Sequence, residues 1–406
     1  MLLLIGGTAL VGISFVVWYQ QERPLIEIET TLQQGKVSPA FQLVGQFLRL
    51  HPDSARGQIL KARILVQAGQ PDEALRIFER YGASDISELQ AWATAHLMRK
   101  EWSNALPVFE RILQLYPDDP DALQGTTSCR TFLGDFRAAL DSAARLTQQP
   151  GREARAWLQI GTLHKSLGND RSAIGAWDRV LKYEPGAEHL PVSPAEFFGE
   201  FGRVLLHDGR LEQARESLEH SLALADSAQA HSDLGQAFQQ LGEEGPAVVH
   251  WRRACELNPA LGSPRESLAQ MALRAGQFEM AREWLEPAVR SPLSTSSATY
   301  LMERACQGLN QIDAAQMWHE QTERRRKREK LHAAINHVLI EAPDSYWARA
   351  IRAYQFAEAG NWHQADALTR TLQSESVREP FVEGLANCVR THGLLPSLDL
   401  VPIHQF

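Results

Sequence analysis

An all-α fold built from repeated helical hairpins is what this sequence predicts, on three observations. The first is a period. Alanines in similar surroundings stand at Ala40, Ala74, Ala105, Ala139, Ala173, Ala214, Ala247, Ala281, Ala315 and Ala365, at intervals of 34, 31, 34, 34, 41, 33, 34, 34 and 50 residues. The second is a glycine five residues before most of them, at Gly35, Gly69, Gly134, Gly168, Gly209, Gly242, Gly276 and Gly360. The third is composition: Ala, Leu, Glu, Gln and Arg dominate, while Val, Ile and Thr are sparse beyond the first twenty residues.

One hairpin explains both repeated residues. A helix that turns sharply into an antiparallel partner needs a left-handed residue at its end, and glycine takes that conformation without strain. The alanine then falls early in the second helix, where the two helices cross closely and a larger side chain would overpack by about 1 to 3 kcal/mol. Pro52, Pro117, Pro185 and Pro259, each twelve residues past its alanine, stop the second helix.

These positions resemble the tetratricopeptide repeat. Its clearest copies here are Trp157 to Gly161 with His164, Gly168, Ala173, Trp177 and Pro185, and Leu234-Gly235 with Phe238, Gly242, Ala247, Ala254 and Pro259. Lys100 and Asn310 replace the turn glycine in two weaker copies. The resemblance implies a right-handed superhelical solenoid of about ten helix-turn-helix units, with a concave face lined by the first helix of each pair. Stacking alone gives such units a continuous core, so each depends on its neighbours.

Five segments follow in chain order. Residues 1–20 are expected as a transmembrane anchor: Leu2 to Tyr19 holds no charged side chain and spans about 27 Å as a helix. A cleaved signal peptide is the rival reading, but no Lys or Arg precedes the run and it ends in Trp18-Tyr19 rather than small residues. The expected localisation is therefore single-pass membrane, with the bulk extracytoplasmic or periplasmic because the following flank is acid-rich. Residues 21–185 read as a first sub-array and 186–194, with Pro191 and Pro194, as a loop or hinge. A second sub-array occupies 195–377, including a lengthened helix from Thr322 to Ala342, and 378–406 form a cap helix and tail.

Composition and motifs narrow the function. A net charge of −8 gives no general attraction for nucleic acid. Cys129, Cys255, Cys306 and Cys388 lie far apart with no paired spacing, so they read as small core residues rather than a metal site. No phosphate-binding loop, dinucleotide fingerprint, zinc-protease or serine-hydrolase motif occurs. No cofactor, metal or enzymatic activity is expected. The run Arg324 to Lys330 is the densest charge feature and reads as a solvated helical face or a surface for an acidic partner.

The repeat register places Arg56, Arg63, Gln124, Arg155, Lys165, Arg203, Gln236, Gln239 and Gln270 on the concave face, with Gln90, Thr94, Ser128, Gln229, Ser232 and Glu266 sharing it. That surface is polar with a basic middle and suits an extended peptide, one with carboxylates near Arg155, Lys165 and Arg203. The Lys and Asn pair with which chaperone-binding members of the family clamp a terminal carboxylate is Leu158 and Thr162 here. The function expected is a membrane-tethered scaffold or assembly factor holding a protein or peptide in this groove. A homo-oligomeric spacer without a client groove is the alternative.

Overall fold

Every predicted turn takes the left-handed backbone conformation. The eight turn glycines have φ between +71° (Gly168) and +84° (Gly242), and the two replacements follow, Lys100 at +59° and Asn310 at +57°. The next residue in each turn donates its N–H to the carbonyl five positions back, as Gln70 does to Leu65, Glu101 to His96 and Gln311 to Cys306, each at 2.9 Å. That closure satisfies a carbonyl left open by the helix end and aims the chain back along its partner.

The computed structural model describes residues 22–292, 294–342, 345–375 and 379–402, and among them the regular structure is helical throughout. Helices α1 (22–33) and α2 (Val37–Leu50) open the series, followed by α3 (Ala55–Gln67) and α4 (Pro71–Tyr81), α5 (Ile86–Met98) and α6 (Trp102–Leu115), and α7 (Pro120–Phe132) and α8 (Phe136–Leu146). Then come α9 (Glu153–Ser166) and α10 (Asp170–Tyr183), α11 (Pro194–His207) and α12 (Leu211–Leu224), and α13 (Ala228–Gln240) and α14 (Glu244–Leu257). The last are α15 (Gly262–Arg274) and α16 (Phe278–Arg290), α17 (Ser296–Gly308) and α18 (Ile312–Glu341), α19 (Tyr346–Glu358) and α20 (Trp362–Ser374), and the unpaired α21 (Pro380–Thr391). Odd-numbered helices up to α19 are first helices and even-numbered ones second helices.

The two kinds of helix begin differently, for a local reason. First helices follow longer connections and carry side-chain caps: Ser54, Asp85, Asp119, Ser193, Ser227, Thr295 and Ser345 each accept from a backbone N–H in the first turn. Second helices start straight out of the left-handed turn, and of those with a described start only α8 has such a cap. Proline sets the end of four of them: His51, Tyr116, Glu184 and Asn258, each directly before Pro, leave the helical region with φ between −131° and −138°.

Contacts divide the chain into two compact units, Met1–Leu163 and His164–Phe406, with the division inside α9. The repeat alanines are sealed in both, all at 0 % exposure except Ala315 at 7 %. Each unit's core runs from hairpin to hairpin. Phe78 and Leu89 join Phe109 in the first, and Leu218, Leu234 and Trp251 join Leu268 in the second. The loop before α11 is pinned, with Ala187 and Leu190 buried and the His189 N–H donating to the Glu184 carboxylate at 3.0 Å. At the far end α21 packs Phe381 and Leu385 on α19 and α20, and the tail returns to bury Val401 in the same cluster.

The single-pass membrane localisation expected from the sequence is not supported. Among the described residues no helix is long and apolar enough to cross a membrane. Helix α18 has the length, at 30 residues, but six cations fall within its middle, and hydrocarbon does not accept such a segment. The apolar stretch expected as a transmembrane helix, residues 1–20, lies outside the described residues.

Candidate functional site: the inner face of the first helices

Curvature in each unit follows from which helices touch. In the second unit α11 packs on α13, α13 on α15 and α15 on α17; in the first, α3 packs on α5. Consecutive second helices make at most marginal contact among the described residues. The first helices are therefore the tight, inner side. The wider outer side opens between α10 and α12 into a cleft of about 340 Å³, floored by Phe198, Phe201 and Leu205 of α11.

Small residues on the first helices also let each hairpin close tightly. A Cβ on Gly235 would stand 2.5 Å from the Trp251 ring, and one on Gly202 would stand 2.6 Å from the Leu218 side chain. Glycine at these two places lets the second helix lie close, and Trp251 spans the gap to donate its indole N–H to the Ser232 carbonyl at 3.3 Å.

Several inner-face cations expected from the sequence meet acids about one repeat away. Arg56 pairs with Glu22, Arg63 with Glu29 at 2.8 Å, and Lys165 with Glu200. Arg203 lies between two acids, on Glu200 of its own helix and on Asp233 of α13 at 2.8 Å. Adjacent first helices lie side by side, so residues about 34 apart become lateral neighbours and opposite charges there form rungs. The four acids were not singled out from the sequence, although a search for acids one period from each cation finds them.

Burial and pairing compete along this ladder. Burial pushes the Asp233 carboxyl above the usual carboxylate range, and the charge and hydrogen bond of Arg203 and the 2.9 Å hydrogen bond from Gln229 do not fully offset it. Burial acts the same way on Glu200, but there Lys165 and Arg203 prevail and its pKa is lowered. Burial would lower Arg203; Asp233 and Glu200 together raise it.

The other expected inner-face residues differ in accessibility. Arg155 is exposed and makes no ion pair among the described residues, Gln124 and Gln239 are half-buried, and Gln236 and Gln270 are exposed. Gln236 on α13 and Gln270 on α15 are 34 residues apart, and a further step of 34 reaches Arg304 on α17, also exposed and unpaired among the described residues. Arg304 continues the same register position, which the sequence reading did not follow that far. The three form an open row of side-chain donors beside the neutralised ladder.

One other polar cluster lies between α13 and α14. His231 and His250 share a 2.8 Å Nδ1 to Nδ1 hydrogen bond, His231 Nε2 meets Asp226 at 2.9 Å, and Arg253 also reaches Asp226. Burial, then the neighbouring His231, lowers the His250 pKa, and His250 stacks on Phe238. Among the described residues no group of three or more His, Cys, Asp or Glu is placed to hold a metal ion. The four cysteines are buried, and burial raises Cys129 to about 11, so none is poised as a thiolate.

Tetratricopeptide-repeat models match residues 31–95, 86–126, and 202–220 with 262–287, segments that fall on the hairpins just described. The chain belongs to the tetratricopeptide-repeat family. Among solved structures, the C-terminal part of a TPR repeat-containing protein from Cytophaga hutchinsonii aligns over 60 % of this TPR chain and 99 % of its own, with a TM-score of 0.50 and 11 % identity, a likeness of fold. Protein CTR9 homolog of Arabidopsis thaliana is 33 % identical over 116 residues, 28 % of this chain and 11 % of that protein. Protein O-mannosyl-transferase TMTC1 of Mus musculus is 25 % identical over 175 residues, 41 % of this chain and 18 % of that protein. This TPR protein thus aligns with less than a fifth of either curated relative, and the transferase activity in the second name is a statement about that protein.

Proposed function

We propose that this TPR protein is a non-enzymatic interaction scaffold that holds an extended peptide segment of another protein along the inner face of its second unit. The observation that carries the reading is the row Gln236, Gln270 and Arg304. Three exposed donors recur at one register position on three neighbouring first helices, none engaged by another side chain among the described residues. Side-chain amides can hydrogen-bond a peptide backbone regardless of its sequence, and a guanidinium adds a charge-assisted grip on a carboxylate. Lys165, Arg203 and Asp233 flank the row as a neutralised ladder that keeps the face rigid, and Gln239 borders it. In the first unit Arg56, Arg63 and Gln124 line the corresponding face, and Arg155 remains open to a carboxylate.

The test is selection of random dodecapeptides on the full chain, followed by titration against Gln236→Ala/Gln270→Ala/Arg304→Ala. The reading expects enriched peptides whose affinity falls by about tenfold in the triple variant. Peptides that bind wild type and variant alike would place recognition elsewhere.

A further inference from the structure

Helix α18 is more than twice as long as the other second helices, 30 residues against 11 to 14, and from its thirteenth residue it carries Arg324, Arg325, Arg326, Lys327, Arg328 and Lys330. The fold uses only part of that charge. Arg325 donates to the Ser294 carbonyl at 2.7 Å, while Arg326 pairs with Glu323 at 2.8 Å and lies 5.6 Å from the Tyr300 ring centre. Glu329 accepts from the Ser296 N–H at 2.7 Å, which fixes the run against the start of α17. Arg324, Lys327, Arg328 and Lys330 are exposed and, among the described residues, have no acidic partner.

We infer that these four cations form a docking surface for an acidic polypeptide segment, separate from the inner-face row. Arg324 with Lys327 and Arg328, and Lys327 with Lys330, sit three or four residues apart, where like charges destabilise a helix. An oppositely charged occupant removes that repulsion. The spacing suits an extended chain: neighbours three or four apart on a helix stand about 5 to 6 Å apart, and alternate side chains of an extended peptide repeat at about 6.6 Å.

Charge separates this occupant from larger polyanions. From Glu323 to Lys330, six cations against two acids leave the run at +4, so the rest of the chain, whose total is −8, carries −12. A membrane surface or long nucleic acid meets that whole acidic field, whereas a short acidic segment within about 10 Å of the run meets the local charge. The four open cations have no apolar face for insertion into lipid. Tyr300 lies under Arg326, so its covered face offers no platform for base stacking.

The test titrates the full chain with a fluorescein-labelled peptide of alternating Glu and Ser at low salt, reading anisotropy. Arg324→Gln/Lys327→Gln/Arg328→Gln/Lys330→Gln is the variant, with its melting curve as the folding check. Expected are saturable binding that weakens steeply with salt, a loss of about tenfold in the variant with its melt unchanged, and full binding by Gln236→Ala/Gln270→Ala. No binding by wild type, equal binding by the basic-run variant, or tighter binding of oligo-dT or phosphatidylserine vesicles than of the peptide would overturn the inference.

Discussion

Arg203 of α11 and Asp233 of α13, thirty residues apart in the chain, are joined by a 2.8 Å ion pair that locks two neighbouring first helices together. Asp233 is buried, so its charge depends on that partner. Arg203→Ala is expected to lower the urea midpoint by the equivalent of about 2 kcal/mol, because it strands a buried carboxylate. Arg203→Ala combined with Asp233→Asn should lose less than Arg203→Ala alone. A double variant less stable than the single one would show that the pair is not the source of the effect.

The turns predict two changes of opposite sign. Gly242, at φ +84°, has open space where a Cβ would go, so Gly242→Ala introduces conformational strain alone and should lower stability by about 1 kcal/mol. Lys100, at φ +59°, already bears that strain, and Lys100→Gly should raise stability by a similar amount. Thermal melts of both variants decide the point; a shift in the same direction for both would contradict it.

Close packing at Gly235 predicts a larger loss. The added methyl of Gly235→Ala meets Trp251 at 2.5 Å and the Ala247 carbonyl at 3.1 Å, so about 1 to 3 kcal/mol should be lost to overpacking. Gly245→Ala, with nothing within 4 Å, is the matched control. Equal melts for the two variants would argue against close helix approach at Gly235.

Most of the fold was legible because it rests on local backbone chemistry. Gly69 or Gly276 in a left-handed turn, a sealed alanine five residues on and a proline stop such as Pro259 are each written within a few residues of where they act. Even the irregular copies obey this, as Lys100 and Asn310 adopt the glycine conformation. The inner face was legible only by register. Gln236 and Gln270 were reached that way, but Glu22, Glu29, Glu200 and Asp233, about one period from their cations, gain meaning only once first helices one repeat apart are known to lie side by side. That adjacency is set by how consecutive hairpins stack, which no local pattern encodes.

The paired histidines predict a pH dependence. The fold holds His250 with a lowered pKa, so between that value and the ordinary one near 6.5 the unfolded chain binds the additional proton. Stability should therefore be full above about pH 6.5, fall as pH drops towards the folded pKa and level off below it. His250→Gln should flatten this part of the profile, measured as melting temperature from pH 7.5 to 5.5. An unchanged slope would assign the dependence to other groups.

The central claim, that the inner face of the second unit is where this protein holds its partner, is tested most directly by site-specific photocross-linking. A benzophenone side chain is placed at position 236, at position 270 and, as an outer-face control, at position 249, where Val249 is 65 % exposed. The account predicts links from 236 and 270 to one other polypeptide and none to it from 249. Links to that polypeptide from 249 alone, or links from every site only to further copies of this chain, would contradict it.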